Sequence, residues 1–149
     1  MCAFLLGENM NNIIYKLIEE AKKCLVTDDV PISAIIIKNN KIIAKAHNMR
    51  EKTKKITDHA EILAINKACK KLNTWHLNDC EMYVTMQPCL MCLNVISQAR
   101  IKKIYYILEN KKYENIQKNK NSKIDFEIIN TNNDEYIKII KNFFKEKRK

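Results

Sequence analysis

His59-Ala60-Glu61 and, after an interval of 26 residues, Pro88-Cys89-Leu90-Met91-Cys92 constrain this chain more than any other feature. They offer three zinc ligands, His59, Cys89 and Cys92, from two distant segments, so the fold must bring those segments together. A site with three protein ligands keeps its fourth position open for water, as catalytic zinc sites do, whereas structural sites are closed by four. Glu61 is then a carboxylate that the metal does not need. Zinc lowers the pKa of a bound water from about 15.7 to roughly 7, and Glu61, two residues from His59, could take the released proton and hand it to a leaving group. The expected chemistry is hydrolytic.

Local sequence explains how the residues meet. Asp58 reads as an N-cap with Glu61 at the capping-box position, and Ile62, Ile65, Ala68, Cys69 and Leu72 follow at helical spacing. Pro88 suits a first helical position, with Leu90, Leu93, Val95, Ile96 and Ala99 continuing an apolar helix. Both cysteines then lie in a first turn, where unpaired N–H groups favour thiolate. Other readings stand beside these. Glu61 taken alone fits a capping box, and a lone CxxC also fits a redox pair or half of a closed zinc module. Cys2, Cys24, Cys69 and Cys80 are scattered among apolar residues and read as small core residues.

The remaining chain alternates helical and strand periods. Asn11 to Val26 carries Ile14, Leu17, Ile18, Ala21 and Leu25 on one face. Residues 32–37 and 42–46 flank Lys38-Asn39-Asn40-Lys41, a hairpin with Asn at the turn. A helix over 58–73, a strand over 81–86, a helix over 89–100 and a strand over 102–108 follow. A Lys- and Asn-rich stretch then leads to a strand near 125–130 and a helix from Asp134 to Lys147, within a basic terminal segment 134–149. Helices on both sides of a central five-stranded sheet predict one three-layer α/β/α domain, and the hairpin makes the sheet mixed. At 149 residues with 46% hydrophobic content the chain can bury a core without disulfides. Six unpatterned cysteines, with neither a signal peptide nor a membrane span at the start, suit a reducing cytoplasm.

The net charge of +10 is localised. Residues 102–123 and 138–149 each carry a net +5, and the remainder is neutral. Lys111, Lys112, Lys145, Lys147 and Arg148 fall in these stretches and are candidates for phosphate contact, because clustered cations displace counterions from nucleic acid. A solvated lysine face is the alternative.

The pattern H-x-E…P-C-x-x-C is an established signature of zinc nucleobase deaminases. Val30-Pro31-Ile32-Ser33-Ala34, Ala46-His47-Asn48, Thr57-Asp58-His59-Ala60-Glu61, Trp75-His76-Leu77, Tyr83-Val84-Thr85, Pro88-Cys89-Leu90-Met91-Cys92 and Ala99-Arg100-Ile101 also stand in the order and spacing of bacterial tRNA-specific adenosine deaminases. The chain resembles that family strongly over residues 14–106 and weakly in the last helix, at Phe143-Phe144. The resemblance implies a cytidine-deaminase-like fold, a homodimer, one Zn2+ per subunit and conversion of the wobble adenosine of a tRNA anticodon stem-loop to inosine. It maps His59, Cys89 and Cys92 onto the ligands and Glu61 onto the proton shuttle. Asn48 maps onto the residue that hydrogen-bonds the flipped base, with Ile32 beside the base and the Ala60 N–H facing it. Asn48 also fits an Asn that ends a strand and caps a turn. His47 and His76 lack a partner at ligand spacing and read as packing residues.

Four departures from the family pattern are visible. Ser33 replaces Gly, Gln87 replaces Glu, Leu93-Asn94 replaces small residues, and the glycine-rich loop after Ile107 becomes Glu109-Asn110-Lys111-Lys112-Tyr113. Asn110 falls where relatives place an acidic residue near the substrate. Two other function classes remain open. A free-base or nucleoside deaminase for guanine or cytosine would share the zinc site without needing the basic stretches. A non-catalytic tRNA-binding subunit could dispense with Glu61.

Overall fold

The computed structural model describes residues 3–110, 112, 123–129 and 133–147. Helix α1 spans Ala3–Lys22 and tightens into a 3-10 turn at Lys23–Thr27. It begins well before Asn11, where the periodicity starts it. Gly7, the only glycine of the chain, is a poor helix former and interrupts the pattern that would have revealed the extra turns. Strands β1 (Ser33–Lys38) and β2 (Lys41–His47) form the expected hairpin. Asn39 and Asn40 both turn left-handed, at φ 51° and 62°. A two-residue hairpin turn with positive φ at both central positions matches the twist of the strands, and asparagine tolerates it.

A short helix α2 (Arg50–Thr53), absent from the sequence expectation, precedes α3 (Ala60–Leu72). Then come β3 (Cys80–Met86), α4 (Leu90–Gln98), β4 (Lys103–Leu108), β5 (Asp125–Ile128) and α5 (Asp134–Lys147). The sheet order is β2-β1-β3-β4-β5. β1 is antiparallel to β2 and β3, while β3, β4 and β5 run parallel, which is the mixed five-stranded sheet expected.

Strand alternation distributes the core. Ala34 and Ile36 of β1 face the side where Ile62, Ile65 and Ala68 of α3 and Ile96 of α4 pack. Ile35 and Ile37 face the other side, against Ile14, Leu17 and Ile18 of α1 and Tyr136 and Ile140 of α5. The helices therefore sandwich the sheet in three layers. Among the described residues, six non-glycine residues hold positive φ: Asp28, Asn39, Asn40, Lys54, Asn73 and Arg100. Asp28, Lys54 and Asn73 each end a helix in this left-handed conformation. No described helix is long and apolar enough to cross a membrane.

Candidate active site

The N-terminal ends of α3 and α4 carry the cluster. His59 and Cys89 are the residues immediately before the two helices, both extended, and their carbonyls accept the first helical hydrogen bonds from Leu63 and Leu93. Neither side chain caps its helix. This corrects two expectations. Asp58 is not the N-cap of α3, and Pro88 lies just outside α4 rather than at its first position. The imidazole and the Cys89 thiol instead turn toward each other.

His59 Nδ1 lies 3.6 Å from Cys89 Sγ and 3.4 Å from Cys92 Sγ, and all three donor atoms fall within 4.8 Å of one another. Bond lengths of about 2.3 Å to sulfur and 2.0 Å to nitrogen at a tetrahedral ion require an N···S separation of about 3.5 Å. The donor set thus fits zinc in kind and in spacing. The hydrogen bond from Cys92 draws Cys89 down to about 4, with His59 assisting. The same bond, together with burial and the charge of Glu61, pushes Cys92 up.

Glu61 occupies the first turn of α3 and is 4% exposed. Burial pushes its carboxyl above the usual range, and the thiolate of Cys89 adds to this against the opposing pull of its own backbone N–H and His59. Its Oε1 is buried with no hydrogen-bond partner among the described residues. A buried acceptor left unpaired costs about 1–3 kcal/mol, which is tolerable where an incoming molecule supplies the partner.

Both groups open into a cleft of about 470 Å³, whose lining includes His59, Glu61, Cys89, Asn48, Ile32, Asn110 and Lys147. Asn48 is fixed from two sides. Its Nδ2 donates to the Val30 carbonyl at 3.2 Å, and its Oδ1 accepts from Arg50 N at 3.2 Å. It therefore caps a turn and also borders the cleft. Ala60 opens α3, so its N–H has no partner within the helix. Asn110 donates its N–H to Gln87 Oε1 at 3.1 Å and accepts from Lys112 N at 3.2 Å. Gln87, just before Pro88, thus tethers the segment after β4.

The basic candidates divide. Lys147 lines the cleft and pairs with Asp28 across its mouth. Lys145 and Lys112 are exposed and are not part of the cleft lining. Lys111 and Arg148 lie outside the described residues. His47 meets Glu20 at 3.0 Å, and His76 meets Arg100 at 3.0 Å; neither belongs to the metal cluster. Cys24 is buried and bonded to the Ile32 and Asn48 carbonyls, and burial pushes its thiol up to about 11. Arg50, Met86, Phe143 and Phe144 also line the cleft. Of these only the two phenylalanines had drawn notice in the sequence, since the convergence of distant segments leaves no local pattern.

Three donors and a spare buried carboxylate on this sheet define a deaminase, and the chain belongs to the MafB19-like deaminase family, whose model matches residues 8–148. Its relatives are more particular. Over 96 residues it is 46% identical to the tRNA-specific adenosine deaminase of Aquifex aeolicus (strain VF5), a match that covers 64% of this chain and 64% of that protein. The chain therefore spans just under two thirds of that relative. A solved structure connected with A-to-I editing by tRNA:A34 deaminases at the wobble position superposes with a TM-score of 0.75 at 29% identity, covering 80% of this chain and 98% of that one. The guanine deaminase of Bacillus subtilis superposes with a TM-score of 0.64 at 25% identity, covering 91% and 93%. Fold alone does not choose the substrate.

Proposed function

We propose that this chain is a zinc-dependent hydrolase converting adenosine to inosine at the wobble position of a tRNA anticodon. The observation that carries the reading is Glu61 Oε1, buried and without a partner among the described residues, beside three metal-type donors in a cleft. His59, Cys89 and Cys92 would hold the ion, which supplies an activated water as nucleophile at neutral pH. Glu61 would take the water proton and deliver it to N1 of the adenine as the hydroxyl adds to C6, then take the proton of that new hydroxyl and pass it to the amino group, which leaves as ammonia. Asn48, held by Val30 and Arg50, presents its remaining donor and acceptor capacity to the base edge, Ile32 walls the base, and the unpaired N–H of Ala60 faces the substrate. Asn110 borders the sugar. An anticodon loop nucleotide is already unpaired, so flipping it into the cleft is inexpensive.

The choice of adenosine in tRNA over a free base rests on the relatives' identity and on the basic stretches around Lys111, Lys112, Lys145, Lys147 and Arg148. Homodimer formation is part of the proposal and rests on the family resemblance. A cytoplasmic setting is supported by the free thiols of Cys24, Cys69, Cys80, Cys89 and Cys92. Incubating the purified chain with total tRNA and sequencing for inosine tests the function. Inosine at position 34 is the expected result. Turnover of guanine with none of tRNA would select the free-base reading, and inactivity of the zinc-loaded chain alone would select the binding-subunit reading.

A further inference from the structure

The cleft is acidic apart from its metal cluster. Its charged lining consists of Asp28, Asp29, Glu51 and Glu61 against Arg50 and Lys147, and a phosphodiester would be repelled by most of it. Lys147 is already paired with Asp28, while Glu51 is paired with Lys54 at 3.1 Å. Asp29 accepts hydrogen bonds from Thr27 and from the Glu51 N–H. Arg50 alone among the cations of the lining has no ion-pair partner among the described residues.

Arg50 is also held in place. Its backbone N–H donates to Asn48 Oδ1 at 3.2 Å, and its Nε donates to the Ile56 carbonyl at 3.1 Å. The two terminal nitrogens have no partner among the described residues. One end of the guanidinium is thus fixed to the loop before His59, and the fork that recognises planar oxyanions is left available. Through Asn48 the same residue is coupled to the wall of the base site.

We infer that Arg50 binds a phosphodiester adjoining the target nucleotide, so that the cleft recognises a nucleotide within a chain and not a free base. The inference rests on the tRNA reading above and deepens it. A free base offers no anion to Arg50, whereas a polynucleotide offers one at every step. The contact replaces a solvated guanidinium with a two-pronged, charge-assisted hydrogen bond at the one point of the lining where no carboxylate competes.

The test measures binding of an anticodon stem-loop RNA to the zinc-loaded full chain, as wild type, Arg50→Gln and Arg50→Lys, across roughly 50–200 mM salt. Arg50→Gln is expected to weaken binding roughly 10- to 100-fold, as for loss of a hydrogen bond to a charged group. It should also make the slope of log affinity against log salt shallower by about 0.7–0.9, the value of one phosphate. Arg50→Lys should keep the wild-type slope but recover only part of the affinity, because it is charged but not forked. An unchanged slope in Arg50→Gln, or equal behaviour of the two variants, overturns the inference. If Arg50→Gln does not fold, Arg50→Lys decides alone: weakened affinity at an unchanged slope supports the contact, and full affinity overturns it. A wild type that turns over free base and neither binds nor deaminates RNA overturns the functional reading and this inference with it. An active wild type with unaffected Arg50 variants overturns this inference only.

Discussion

The hydroxyl of Tyr136 in α5 donates a hydrogen bond of 2.9 Å to the carbonyl of Pro31. Tyr136 is fully buried, and Pro31 sits between Val30 and Ile32, two walls of the cleft. The last helix is thereby bonded to the backbone that shapes the substrate site, and Phe143, Phe144 and Lys147 reach the cleft from the same helix. Tyr136→Phe should remove one buried bond and lower stability by about 1–3 kcal/mol, since the Pro31 carbonyl is left unpaired. Urea denaturation measures this, and a variant as stable as wild type would show that the bond contributes nothing.

Glu61→Ala should retain stoichiometric zinc, because His59, Cys89 and Cys92 supply the donor set without it. Turnover should fall by at least the roughly 10²–10⁴-fold credited to general acid–base catalysis. Metal analysis of the purified variant is the discriminating measurement, and loss of zinc would make Glu61 a ligand.

Cys89→Ala and Cys92→Ala should each lose the metal, since two donors cannot hold the site. Cys24→Ala and Cys69→Ala should bind it normally. Cys24 is occupied with two backbone carbonyls and Cys69 lies outside the cluster. A metal requirement for Cys69 would overturn the ligand set.

Glu20 provides a pH-dependent contribution to folding. Burial alone would raise its pKa, but hydrogen bonds from Lys23 and His47 outweigh that and hold the carboxyl below its ordinary value. A carboxyl depressed in the folded state binds its proton more readily when unfolded, so it stabilises the fold above the unfolded-state pKa. That contribution is lost as pH falls through the depressed value. Glu20→Gln should therefore be less stable than wild type at neutral pH, with the gap closing in acid. Chemical denaturation at a series of pH values would expose a constant gap if the mechanism were wrong.

Asn110 lines the cleft, at the position where the family resemblance implies an acidic residue. A carboxylate there could accept from a ribose 2′-hydroxyl and so favour RNA. Wild type is expected to discriminate weakly against a deoxyadenosine in a hairpin of anticodon-loop shape, and Asn110→Asp to restore preference for RNA. The Lys112 N–H that Asn110 Oδ1 accepts would find the same acceptor in Asp. Equal RNA-to-DNA rate ratios for the two proteins would remove the idea.

The architecture was legible because its signals are local. The Asn39-Asn40 turn, the alternation of Ile35 and Ile36, and the stripe from Ile62 to Leu72 each announce their structure within a few residues. The metal cluster was legible because ligand chemistry tolerates few residue types. Asp58 was misread because a capping-box pattern and a metal site demand similar sequences, and the need for His59 to face two thiols decided between them. Arg50, the Glu20–His47 pair and the Lys147–Asp28 pair were invisible. Each depends on residues distant in sequence or on a loop whose course periodicity does not describe.

The near absence of glycine has its own consequence. Lys54 and Arg100 hold left-handed backbone with full side chains, a conformation that costs roughly 1–2 kcal/mol for residues other than glycine and, less severely, asparagine or aspartate. Lys54 recovers little of this, since its ion pair with Glu51 is exposed to solvent. The fold therefore operates below the thermal ceiling that its own backbone geometry permits, and the headroom lies at a helix end, Lys54.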